Sequence, residues 1–110
     1  MNINEFSLMN ATRADAWHKG QQWSTSDWAV ALAGEVGEAC NIIKKMNRER
    51  DNLLGNKDSD VKLEWALAME LADIFIYLDL LATHCSIDLA NAIRTKFNAT
   101  SEKFGFEERI

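Results

Sequence analysis

The sequence predicts an all-α fold: an antiparallel four-helix bundle with its candidate site between facing helices, assembled as an oligomer. Three observations carry this. The 110-residue chain contains no proline, apolar residues recur at helical spacing, and strand-like alternation is scarce. A chain of this length supports one core, so residues 1–110 are expected to form a single domain. The net charge of −5 argues against a sequence-independent nucleic-acid polymer binder, which needs a basic face. It leaves room for a small anionic substrate escorted by a metal. Met1 to Glu5 lacks the basic start of a signal peptide, and no apolar stretch approaches membrane-spanning length. The expectation is a cytoplasmic protein with no membrane partner. Cys40 and Cys85 lack C-x-x-C spacing and are expected as small buried thiols.

The first helix starts after Asn4 and runs to about Lys19, with Phe6, Met9, Ala14 and Trp17 on its apolar side and Gly20 ending it. The segment from Trp17 through His18 to Trp23 is aromatic-rich. Its tryptophans either pack at a helix end or form a stacking wall for a planar ligand. Ser24 to Asp27 signals the second helix, with Ser26 as N-cap and Asp27 near the positive helix end. This helix runs to about Arg50. Gly34 and Gly37 sit inside it at a cost of about 1 kcal/mol each against Ala. Such a cost predicts close approach by a neighbouring helix or a ligand. Lys45 falls near Glu38 on the helical wheel. It belongs either to a solvated helix end or to a phosphate contact.

Residues 51–60 read as a loop, long enough to close over a substrate. The third helix follows from Ser59 or Asp60 to Thr83. It carries Tyr77 either as a core residue or as a contact to a sugar or phosphate. Asp88 caps the fourth helix, whose buried side is Leu89, Ala90, Ile93, Phe97 and Phe104, and Gly105 stops it. Lys96 and Lys103 lie on one flank, Asn91 and Asn98 on the other. Basic and amide groups suit polyphosphate, although surface lysines are common. The tail from Gly105 to Ile110 is expected to fray or to pack on a second subunit.

The second and third helices echo each other. Ala31-Leu32-Ala33-Gly34-Glu35-Val36-Gly37-Glu38 and Ala66-Leu67-Ala68-Met69-Glu70-Leu71-Ala72-Asp73 both read A-L-A-x-E-[VL]-small-acid. Around Glu35 the apolar stripe is Trp28, Ala31, Leu32, Val36, Ala39, Ile42, Ile43 and Met46. Around Glu70 it is Leu63, Ala66, Leu67, Leu71, Ile74, Tyr77, Leu78 and Leu81. Glu35 and Glu70 fall near the middle of these stripes, with Glu38 and Asp73 at the edge. A carboxylate in the centre of a core-facing stripe is costly unless compensated. If the helices face each other, four acids converge, and each like-charge pair at ~4 Å costs about 4 kcal/mol at an effective dielectric of 20. The cluster must take up protons or bind a cation. Oxygen donors without nearby His or Cys favour Mg²⁺, with Mn²⁺ as substitute, over zinc. On ordinary solvated helices either acid pair alone means little, and the rival is a helical interaction module. A di-iron bundle would need Glu-x-x-His, which neither His18 nor His84 supplies. A polar hole in so small a core predicts dimerisation.

The two acid pairs in their context, together with Lys96-Phe97-Asn98 and Ser101-Glu102-Lys103-Phe104-Gly105-Phe106, resemble the MazG-like all-α nucleotide pyrophosphohydrolases. The resemblance covers nearly the whole chain. It implies hydrolysis of a nucleoside triphosphate to the monophosphate and pyrophosphate, with Mg²⁺ held by Glu35, Glu38, Glu70 and Asp73. Glu38 is the candidate base. By the same resemblance Lys45, Tyr77, Lys96, Asn98 and Lys103 contact phosphate or sugar, and Trp17, His18 and Trp23 contact the base. It further implies a homodimer or dimer of dimers that clears non-standard or surplus deoxynucleotides. A relative acting on phosphoribosyl-ATP or dUTP is the alternative substrate class.

Overall fold

The computed structural model describes residues 1–56 and 58–110. Among these residues there are four helices and no strand: α1 (Ile3–His18), α2 (Thr25–Arg50), α3 (Asp60–His84) and α4 (Leu89–Phe104). The all-α expectation holds, and each helix end falls within about two residues of the predicted one. Lys57, inside the predicted loop 51–60, lies outside the described residues. Among the described residues no helix is long and apolar enough to cross a membrane.

The ends follow from local hydrogen bonding. Asn2 starts α1 early, because its Oδ1 accepts from the backbone N–H of Asn4 at 2.8 Å. The cap of α2 is Ser24, not Ser26. Ser24 Oγ accepts from the Asp27 N–H at 3.2 Å while Asp27 Oδ2 accepts from the Ser24 N–H at 2.9 Å. This reciprocal pair satisfies two otherwise open donors, which a cap at Ser26 would not. Asp88 Oδ1 caps α4 by accepting from Asn91 N–H at 3.0 Å. At the other end Gly105 takes φ +76°, a left-handed turn that favours glycine.

The chain divides into two compact units. The first, Trp23–Leu78, contains α2 and most of α3. Trp28 touches Tyr77, the acids of the two helices meet near Glu35 and Glu70, and Lys45 and Leu63 line one hollow. Successive contacts thus run in opposite directions along the sequence, so α2 and α3 are antiparallel. Trp28, Ala39 and Leu63 are buried here. Val36, Ile43, Leu71 and Leu78, placed in the apolar stripes by sequence, are exposed instead. The reason is angular: they stand about 80–100° round the helix from Glu35 or Glu70, whereas the buried three lie within about 40°. Among the described residues, a Cβ built on Gly34 or Gly37 meets no atom of another element within 4 Å. The expected close helix approach at these glycines is therefore not made among the described residues.

The second unit joins Met1–Gln22 with Asp79–Ile110. Its centre is polar. Asp79 is 1% exposed; it accepts from Ser7 Oγ and from Asn10 Nδ2, the latter at 2.9 Å. Leu80 and Ala82 are buried beside it in sequence, and Ser101 is buried on α4. The tail is not frayed. Ile110 N–H donates to Asn98 Oδ1 and Asn98 Nδ2 donates to Ile110 O, both at 2.9 Å, which folds the segment back on α4. Cys40 and Cys85 are both exposed rather than buried.

Asp79→Ala leaves two donors in the second unit without their acceptor. It should lower unfolding stability by about 3 kcal/mol, whereas Ser7→Ala should cost about 1 kcal/mol. Urea denaturation with an unchanged m-value is the check.

Candidate metal centre

The echo between α2 and α3 brings three of the four predicted acids together. One carboxylate oxygen each from Glu35, Glu38 and Glu70 lies within 4.8 Å of the other two. Glu35 and Glu70 are half-buried and Glu38 is exposed, as expected of central and edge positions. Asp73 is half-buried and stands outside this closest set, yet its charge acts on both Glu35 and Glu70.

So dense a set of like charges cannot ionise freely. Burial pushes the Glu35 carboxyl up to about 7, helped by a hydrogen bond with Glu38 and by the charges of Glu38, Asp73 and Glu70. Glu70 is raised above the usual carboxylate range, again first by burial and then by its hydrogen bond with Glu38. A hydrogen bond with Glu35 acts the other way on Glu70. The metal-free cluster thus retains protons near neutrality.

A hard divalent cation fits this arrangement. Glu35 Oε2 and Glu70 Oε2 are buried with no hydrogen-bond partner, a costly state that coordination would relieve. Within this unit, among the described residues, no lysine or arginine pairs with any of the four acids. The donor set is all oxygen, which suits Mg²⁺ or Mn²⁺.

The remaining predicted residues separate between the two units. Lys45 is half-buried and lines a hollow of about 160 Å³ with Gly55, Asn56, Asp58 and Leu63. Asn56 Nδ2 donates to the Lys45 carbonyl, an anchor that the sequence marks only as a loop signal. Trp23 and Trp28 meet at an interplanar angle of 54° with centroids 4.5 Å apart, and the Trp28 ring lies 6.3 Å from that of Tyr77. Trp28 therefore links two predicted ligand contacts, although its sequence position speaks only of core packing. In the other unit Trp17 is 77% exposed and His18 is half-buried. Lys103 Nζ stands 5.3 Å from the Phe104 ring centre. Lys96 lines a hollow of about 490 Å³ with Phe97, Thr100, Ser101, Phe106 and Glu108. Asn98 is engaged with Ile110.

The pKa of Glu35 predicts a pH signature. Its folded value of about 7 exceeds the ordinary 4.5, so its contribution to folding is complete below pH ~4.5 and is lost as pH rises through ~7. In EDTA the melting temperature should fall between pH 5 and pH 8, and Glu35→Gln should flatten that slope. With Mg²⁺ present, stabilisation should instead grow over the same range, because a cation binds the ionised carboxylates. Thermal melts across this range test both directions.

No family model matches the chain. Over 75 residues, 68% of its length, it is 33% identical to dCTP pyrophosphatase 1 of Mus musculus and of Rattus norvegicus. It is 32% identical to dCTP pyrophosphatase 1 of Homo sapiens over the same share. The matched stretch covers 42% of each of these proteins, so the chain spans less than half the length of the curated relatives it matches. Through this similarity the chain is a relative of dCTP pyrophosphatase 1, one of the MazG-like all-α nucleoside triphosphate pyrophosphohydrolases.

Proposed function

We propose that this chain is a Mg²⁺-dependent nucleoside triphosphate pyrophosphohydrolase that converts a ribo- or deoxynucleoside triphosphate to its monophosphate and pyrophosphate. The carrying observation is the meeting of Glu35, Glu38 and Glu70 within 4.8 Å, with two buried oxygens left without a partner. Likeness to proteins named dCTP pyrophosphatase supports the reaction class and makes dCTP the first substrate to try. Clearance of surplus deoxynucleotides in the cytoplasm is the biological role this reading assigns.

Glu35, Glu38, Glu70 and Asp73 would hold the cation, with Mn²⁺ able to replace Mg²⁺. When bound, it polarises the phosphate oxygens and offsets charge on the leaving pyrophosphate. The chain's own chemistry then needs one group to accept a proton from the attacking water. Glu38, the exposed member of the cluster, is assigned that role. The water oxygen bonds to the α-phosphorus, the bond from that phosphorus to the bridging oxygen breaks, and its electrons leave with pyrophosphate. Lys45 sits two turns beyond Glu38, about 10 Å along the same side of α2, which suits a contact to the polyphosphate. Tyr77, Lys96, Asn98 and Lys103 are assigned to phosphate or sugar, and Trp17, His18 and Trp23 to the base. A homodimer or dimer of dimers is part of this reading: Val61, Trp65 and Met69 lie within about 80° of one another on α3 and are all exposed, an apolar surface that a second copy would cover.

Incubation with Mg²⁺ and a panel of ribo- and deoxynucleoside triphosphates, dUTP and phosphoribosyl-ATP should yield monophosphate and pyrophosphate, resolved by chromatography. EDTA should abolish turnover. Glu70→Gln should lower the rate by at least about 100-fold, the upper end for residues that merely orient metal ligands. Diphosphate with inorganic phosphate as products would overturn the assignment. No turnover and no Mg²⁺-dependent rise in melting temperature would favour a helical interaction module.

A further inference from the structure

The segment after α4 engages one position that the proposed function gives to the nucleotide and lines a hollow together with another. Both amide atoms of Asn98 are engaged by the backbone of Ile110, at 2.9 Å each. Glu108 shares with Lys96 the hollow of about 490 Å³ beside α4, so an acid of the tail stands where Lys96 would meet a phosphate. The tail is shaped for this fold-back. Phe106 N–H donates to Ser101 O at 2.8 Å, and Arg109 Nη1 donates to the carbonyls of Phe106 and Glu108 at 2.7 and 2.9 Å. A backbone pair on an asparagine and a carboxylate near a lysine copy, in kind, the polar groups of a sugar and a phosphate.

We propose that residues 106–110 form an autoinhibitory clasp: in the free protein they hold Asn98 and set an acid, Glu108, on the hollow that Lys96 lines, and a nucleoside triphosphate must displace them to bind. This rests on the nucleotide reading of Asn98 and Lys96 made above. The fraction of molecules with the clasp open scales the apparent affinity, so loosening the clasp tightens binding without touching the chemistry.

Two variants outside the catalytic machinery test this. Ile110→Pro removes the N–H that Asn98 accepts, and Glu108→Gln removes the tail charge near Lys96. With Mg²⁺ and dCTP, each should lower KM by about threefold to tenfold and leave kcat within about twofold. In the unaltered protein, dCTP should raise hydrogen exchange across residues 106–110. Unchanged or higher KM in both variants overturns the clasp while the hydrolase reading stands. If neither the protein nor its variants turn over any nucleotide, the hydrolase reading fails, and exchange decides the clasp alone. Faster exchange at 106–110 with dCTP then supports it, and unchanged exchange overturns it.

Discussion

The first compact unit depends on a repulsion that the fold forces upon itself. Two helices carry the same acid at the same point of the same apolar pattern, and antiparallel packing brings those points together. Burial of Trp28, Ala39 and Leu63 holds the helices in register, and the price is paid where Glu35 and Glu70 meet. With three carboxyl groups inside 4.8 Å, either protons or a cation must supply positive charge. That need explains the raised Glu35 and Glu70 values and the two buried oxygens without partners. A binding site for positive charge is thus a condition of the packing.

The second unit is held differently. It places a carboxylate, Asp79, among neutral donors from α1, where an aliphatic side chain would be the ordinary choice. Such a contact is directional, so it fixes rotation and register of α1 more sharply than apolar burial does. The rest of that unit shows the same habit: an asparagine on α4 grips the tail through its backbone. Among the described residues many large apolar side chains are exposed, and in this unit directional polar contacts add to what apolar burial supplies.

Much of this was legible in the chain itself. Absence of proline, helical spacing, the Asp88 cap and the Gly105 stop are local signals, and local physics decides helix ends. The acid cluster was legible too, because the echo fixes both wheel positions at once. Other features were not. Ser24 and Ser26 are both good caps, and only the reciprocal bond with Asp27 selects between them. Asp79 falls off the apolar stripe of α3, and its partners Ser7 and Asn10 are some seventy residues away, beyond any periodic pattern. The open space around Gly34 and Gly37 is likewise a tertiary fact, since a helical glycine looks the same in sequence whether crowded or bare. Cys40 and Cys85 are exposed for the same reason: a small residue's burial is set by its neighbours.

The tryptophans also give the molecule an optical character. Trp28 is buried and in tilted contact with Trp23 and Tyr77, whereas Trp17 and Trp65 stand largely in water. Trp28 sits two turns before Glu35 on the same helix face. Its emission is therefore separable in wavelength from that of the exposed indoles, and the close Trp23–Trp28 pair couples their transitions. Rearrangement around the acids would reach Trp28 through one rigid helix, so the protein carries its own label on the helix that supplies Glu35 and Glu38.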